Sequence, residues 1–238
     1  MEISKGIRIV DLCLIWDKTL IIPDVHIGFE EALNKQGILA PRFQFQETME
    51  KIQSIVEQTK PEEVILMGDI KHEFGTISET EWRQTLLLLD YLISKTKKIF
   101  LVKGNHDTIL GPIANKRELK IVDYVIKEAT FFCHGDQIPK NEDFKKAKRI
   151  IIGHEHAAIC LKKGERAERY KCFIKGEYNG KELIVMPSFN LVTTGTDVSR
   201  ESLLSPFLKK SDIQDFEVFV VDKKPLYFGT VKDCLEMN

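Results

Sequence analysis

Five short apolar runs in this chain each stop in acids, imidazoles or an asparagine. TLII (19–22) runs into PDVH, VILM (64–67) into GDIKH, and IFLV (99–102) into KGNHD. TFFC (130–133) runs into HGD, and RIII (149–152) into GHEH. Each run has the length and branching of a buried β-strand. One strand with a polar end is commonplace. Five of them demand a fold that brings several strand ends to one place, and α/β sheets form their sites beyond the carboxyl ends of strands. The chain's six histidines, His26, His72, His106, His134, His154 and His156, all fall in these five segments.

The intervening sequence supplies helices. Phe45, Met49, Ile52 and Val56 recur at the period of one helix face, which predicts a helix over 42–60, between Pro41 and Pro61. Ser78 with Glu81 reads as a capping box for a second helix, with Trp82, Leu86, Leu89 and Ile93 as its buried face. IRIVDLCLIW (7–16) reads as one arm of a hairpin, turned at Asp17-Lys18 into TLII. The last third changes character. It reads as two antiparallel pairs, one turned near Tyr178-Asn179-Gly180 and one at Asp222 to Pro225. Residues 1–238 are expected to form a single domain in which strand–helix alternation gives way to antiparallel strands. Pattern alone defines the fold as mixed α/β.

Composition narrows the partners. The 238 residues carry a formal net charge of -1, which argues against a uniformly basic protein that coats nucleic acid. Cys13, Cys133, Cys160, Cys172 and Cys234 are odd in number and form no CxxC pair, so neither a disulfide framework nor a cysteine-rich zinc site is indicated. A reducing cytoplasm is the natural compartment. The opening MEISKGIRIV lacks the apolar core of a secretory leader, and no run is long enough to span a bilayer.

Carboxylates and neutral imidazoles ligate Mn, Fe, Ni or Zn. Alternate side chains of an extended backbone share a face. On that basis Asp24 and His26 reach one ion, and His154 and His156 reach one ion or two neighbours, with Glu155 pointing away. Structural zinc wants four closed ligands, usually rich in cysteine. This larger cysteine-free set suits two metals better. Gly68, Gly104, Gly135 and Gly153 adjoin the ligands, where glycine permits tight turns and close approach.

Taken together, D24-x-H26, G68-D69-x-x-H72, G104-N105-H106-D107, H134-G135-D136 and G153-H154-x-H156 resemble the ordered motifs of calcineurin-like metallophosphoesterases. GDIKHEFG and DVHIGFEEAL are similar to the small archaeal SbcD-related branch. The resemblance implies a four-layer α/β/β/α sandwich with mixed sheets and no separate capping domain. It implies two divalent ions, Mn²⁺ first among Mn, Fe, Ni and Zn. Asp24, His26 and His156 would hold one, Asn105, His134 and His154 the other, and Asp69 would bridge them. His106 would be the catalytic histidine, oriented by Asp107, and His72 a second substrate-side histidine. The implied reaction is attack on phosphorus by a hydroxide that the two ions share.

The expected function is hydrolysis of a phosphodiester, with nucleic acid or a cyclic nucleotide as substrate. The alternatives are a phosphomonoesterase or nucleotide phosphatase on the same scaffold, and a non-catalytic scaffold for partners. The filled ligand positions argue against the last. Lys71 and Lys103 are either phosphate contacts or solvated strand-end lysines, and Arg42 reads as a plain helix-start residue. The basic stretches 144–149 and 161–171 are candidate grips for a nucleic-acid backbone or simply wet surface. MPSFN (186–190) and TTGTD (193–197) are polar loops to which no chemistry is assigned.

Overall fold

Strand periodicity organises the molecule into two mixed sheets. The structure is a computed structural model that describes residues 1–39, 43–75, 77–163 and 166–236. The first sheet runs in chain order: β1 (Glu2–Ser4), β2 (Ile7–Val10), β3 (Cys13–Trp16), β4 (Thr19–Ile22), β5 (Glu63–Leu66), β6 (Lys98–Val102) and β7 (Ile121–Val122). The second contains β8 (Tyr124–Lys127), β9 (Thr130–Cys133), β10 (Arg149–Ile152), β11 (Ala157–Lys163), β12 (Arg166–Tyr178), β13 (Lys181–Val185), β14 (Thr196–Asp197), β15 (Glu217–Val221) and β16 (Pro225–Thr230). The helices are α1 (Phe29–Lys35), α2 (Gln44–Thr59), α3 (Glu79–Lys95), α4 (Gly111–Asn115), α5 (Glu142–Lys146) and α6 (Val231–Glu236).

The five apolar runs are β4, β5, β6, β9 and β10. β4, β5 and β6 are mutually parallel, and β10 lies parallel to both β9 and β13. Strands covered on both faces need continuous apolar sequence, which is why these runs do not alternate with polar residues.

Adjacent residues in the second sheet serve different cores. Phe132, Ile151, Phe173, Ile184 and Phe219 face the first sheet, where they join its Leu14, Ile21, Ile65 and Leu101 in one cluster. Their neighbours Phe131, Ile150, Ile152, Leu183, Val185, Val218 and Val220 face the opposite way, into a cluster with Phe144 of α5, Phe207 and Cys234 of α6. Period-two geometry thus builds two cores from one sheet. Each fully buried large side chain contributes about 1.5–3 kcal/mol. Trp16 on β3 meets Phe132 on β9 across the sheets, with ring centroids 6.1 Å apart.

Two expectations need correction. IRIVDLCLIW is two strands, not one arm. Asp11 takes φ 54° and its carboxylate accepts from the Leu12 amide at 2.8 Å, so the chain reverses inside the run. The buried face of α3 is also rotated. Leu88, Leu89 and Leu92 are buried, Trp82 and Leu86 only partly so, and Ile93 is exposed. Pro41 and Arg42 lie outside the described residues. The stretch 144–149 ends at the first residue of β10, the far end of that strand from His154. Arg149 there pairs with Glu182, and Lys145 with Glu142 at 2.6 Å. Within 161–171, Arg169 pairs with Glu201 at 2.6 Å and Lys171 donates to the Ser188 carbonyl at 2.9 Å.

Candidate metal centre

All five strand ends open onto one cluster. Asp24, His26, Asp69 and His156 bring one ligand atom each to within 4.8 Å of one another, and so do Asp69, His134 and His154. Asp69 belongs to both groups. In the first, the Nε2 atoms of His26 and His156 stand 3.1 Å apart, and Asp69 Oδ2 lies 3.8 Å from the former. In the second, His134 Nε2 is 3.2 Å from Asp69 Oδ2, 3.1 Å from His154 Nδ1 and 3.0 Å from Asn105 Oδ1. His134 Nδ1 donates to the Met67 carbonyl at 3.0 Å, which leaves Nε2 for a ligand.

The backbone achieves this differently from the extended geometry that spacing implied. Asp24, His26, Asp69, His154 and His156 have φ of 22°, 49°, 48°, 61° and 52°. The strands end at Ile22, Leu66 and Ile152, and the ligands sit beyond them in left-handed turns. A non-glycine residue there costs about 1–3 kcal/mol, and such strain collects at functional sites. Consequently His154 and His156 diverge into different groups. The close approaches also need glycine. A Cβ on Gly104 would stand 2.1 Å from Asp69 Oδ1, and one on Gly153 would stand 2.2 Å from Asp24 Oδ2.

The donor set fits divalent cations. Asp24 is fully buried and its Oδ2 has no hydrogen-bond partner, an arrangement that is costly unless a cation faces it. Burial and the neighbouring imidazoles His156 and His106 hold His26 well below the ordinary histidine range, and burial with the charge of His134 holds His154 at about 4. Both are neutral, as ligation requires. Burial would lower His134 too, but Asp69 and Asp24 outweigh it and lift His134 to about 10.

A third group comprises His26, His72 and His106. His106 Nδ1 donates to the His72 carbonyl, so Nε2 faces the cluster, 3.9 Å from Asp69 Oδ2. Burial and His106 bring His72 down to about 4. No hydrogen bond or ion pair joins the Asp107 carboxylate to the His106 ring. That carboxylate accepts from the amides of Gly104 at 3.0 Å and Ile70 at 3.1 Å. Burial and the Asp69 charge raise Asp107 to about 6.

Several bracing residues escaped sequence reasoning. Lys71 is neither a phosphate contact nor solvated. It is fully buried and donates to the carbonyls of Glu73 and of His106, the latter at 2.7 Å. Ser78 does cap α3, accepting from the Glu81 amide at 3.1 Å, but the Glu81 carboxylate does not return to Ser78. It accepts instead from the amides of His72 at 2.8 Å and Glu73 at 3.0 Å. Glu155 does point away from the site. It is buried and accepts from the amides of Leu204 and Ser205, the latter at 2.7 Å, while Ser205 Oγ donates to the Gly135 carbonyl at 2.7 Å. Asn190, in the loop given no chemistry, donates its amide to the Asp24 carbonyl at 3.2 Å. The only signal for these roles was an acid or lysine inside or near a motif. Lys103 is exposed and lines an open cleft of about 760 Å³ beside Asn105 and His134.

Two sheets that deliver histidines and carboxylates to adjoining donor groups give the arrangement of a metal-dependent enzyme. More narrowly, the chain belongs to the calcineurin-like phosphoesterase family, whose model matches residues 18–192. The nuclease MPE of Pseudomonas putida has the same fold, with a TM-score of 0.65 and 19% identity over 91% of this chain and 92% of that one. The E. coli phosphoesterase Yfce gives a TM-score of 0.40 and 12% identity over 84% of this chain and 87% of its own. No curated protein matches the sequence. Among the described residues no helix is long and apolar enough to cross a membrane.

Proposed function

We propose that this protein is a dinuclear metal-dependent phosphodiesterase of the SbcD-related branch, acting on nucleic-acid or nucleotide diesters. The observation that carries this is the pair of donor groups sharing Asp69. Asp24, His26 and His156 serve one ion, Asn105, His134 and His154 the other, and Asp69 both; manganese is the metal proposed. Two such ions, when bound, offset charge on the phosphoryl oxygens and supply the hydrolytic water at neutral pH.

The chain's own residues do the rest. His106, tethered through its Nδ1 proton, presents Nε2 to the substrate side, where it takes up a proton from water before handing it to the leaving oxygen, because burial lowers its pKa. His72 flanks it, with ring centroids 5.3 Å apart. This second imidazole beside the first supports a diester over a monoester. The shared core of the two sheets supports a single domain. No disulfide joins the described cysteines, which supports a cytoplasmic setting.

The test is hydrolysis by the Mn²⁺-loaded protein of an aryl phosphodiester, an aryl phosphomonoester and end-labelled single- and double-stranded DNA. His106→Ala serves as the contamination control. Faster cleavage of the diester by wild type alone supports the proposal, and DNA shortening extends it to a nuclease. Preferential hydrolysis of the monoester overturns it.

A further inference from the structure

Phe74 follows His72 by two residues, yet the residue is 60% exposed. Its ring lies on the His106 imidazole, with centroids 3.7 Å apart and planes at 35°. An isolated surface phenylalanine normally needs no explanation. This one is held in place. Fully buried Lys71 grips the Glu73 carbonyl just before it, and fully buried Glu81 grips the Glu73 amide at 3.0 Å. Burying two charged groups to fix one short loop is costly unless the position of that loop matters.

The ring also borders an open depression of about 330 Å³, lined by Ala32, Lys35, Gln36, His72, Glu73 and Phe74. That volume falls at the lower end of the range for small-ligand sites, roughly 300–1,000 Å³. Lys35 is paired with Glu73 at 2.7 Å, so this wall carries little net charge. Gln36 offers an amide that both donates and accepts. A flat apolar wall, a mixed donor–acceptor edge and near-neutral charge suit a heteroaromatic ring rather than a second phosphate.

We propose that Phe74 is the stacking platform for a nucleobase of the substrate, and that this depression is its subsite. The inference rests on the diester reading above and narrows the substrate to one that carries a base. Stacking on an aromatic ring tolerates any base, because every base has a π-face. The subsite would therefore favour nucleotides over simple phosphoesters without selecting a sequence.

The experiment is equilibrium binding to the Mn²⁺-loaded protein of thymidine 5′-monophosphate and of deoxyribose 5-phosphate. Wild type, Phe74→Ala and Phe74→Trp are compared. Wild type should bind the nucleotide about tenfold more tightly than the sugar phosphate, within the range that one stacked base provides. Phe74→Ala should abolish that preference and Phe74→Trp should keep it. The subsite is overturned if wild type shows no preference, if Phe74→Ala retains it, or if Phe74→Trp loses it. Aryl phosphodiester hydrolysis by the same preparations separates the two readings. An active enzyme without base preference sinks only the subsite. An inactive enzyme whose preference vanishes in Phe74→Ala sinks only the diesterase.

Discussion

Asp24, Asp69 and His134 are 0%, 2% and 1% exposed, and Asp24 and Asp69 sit in left-handed turns at the ends of parallel strands. His72, His106 and Phe74, a few ångströms away, are partly or largely exposed and hang on loops beyond β5 and β6. The first group is cast into the core, and its geometry is set by strand ends, glycines and strain. The second is positioned by two buried side chains, Lys71 and Glu81, that reach in from outside the cluster. Holding cations tolerates no movement, whereas meeting a substrate requires access. Substitutions in the two regions should therefore fail in different ways.

The largest effect belongs to the buried side. Asp69→Ala removes the carboxylate common to both donor groups, so the purified variant should lose both ions and all activity. Metal analysis checks this, and two retained ions would refute the bridging role. His106→Ala comes next and should separate the regions most clearly. In its proposed role the imidazole passes a proton and holds neither ion, so both metals should stay while turnover falls about 10²–10⁴-fold. Metal loss in that variant would show that the two regions are one.

This division was half legible in the sequence. The seven candidate ligands could be named because each lies just beyond an apolar strand, and strand ends are marked by composition. The turn geometry was not legible, because a spacing of two looks the same in an extended strand and in consecutive left-handed turns. Spacing alone left His154 and His156 sharing an ion or serving neighbours; the family resemblance divided them, and the fold brings them to different groups. The braces were also hidden. Lys71 reaches the His106 carbonyl 35 residues on, and Glu155 reaches amides 49 and 50 residues on. No local pattern announces such contacts. Asp11 shows the same limit on a smaller scale, since one residue in a left-handed turn splits a run that hydropathy reads as continuous.

Lys71→Met probes the suspension of the outer region. Methionine keeps the bulk but strands the Glu73 and His106 carbonyls without their donor. Each unsatisfied buried group costs about 1–3 kcal/mol, so the midpoint of chemical unfolding should fall accordingly. Displacing His106 should also lower kcat by about tenfold to a hundredfold. Metal content should not change. A variant that loses metal in proportion to activity would place Lys71 with the buried side instead.

The smallest effect concerns protons, and it tests the buried side alone. His134 is held protonated up to about pH 10 by Asp69 and Asp24 in the metal-free protein, whereas His26 and His154 are already neutral at pH 7. A cation must displace the proton on His134 Nε2 and no proton from the other two. Mn²⁺ affinity should therefore rise with pH, by up to tenfold per unit, and level off only near pH 10. At pH 7.5, calorimetric titration of Mn²⁺ in buffers of different ionisation enthalpy should report release of about one proton. Release of none would mean that His134 is neutral before the metal arrives, and that the charge of Asp24 and Asp69 is balanced by something other than this imidazole. Release of two or three would mean that His26 and His154 are also charged in the empty site, and that burial does not hold them neutral.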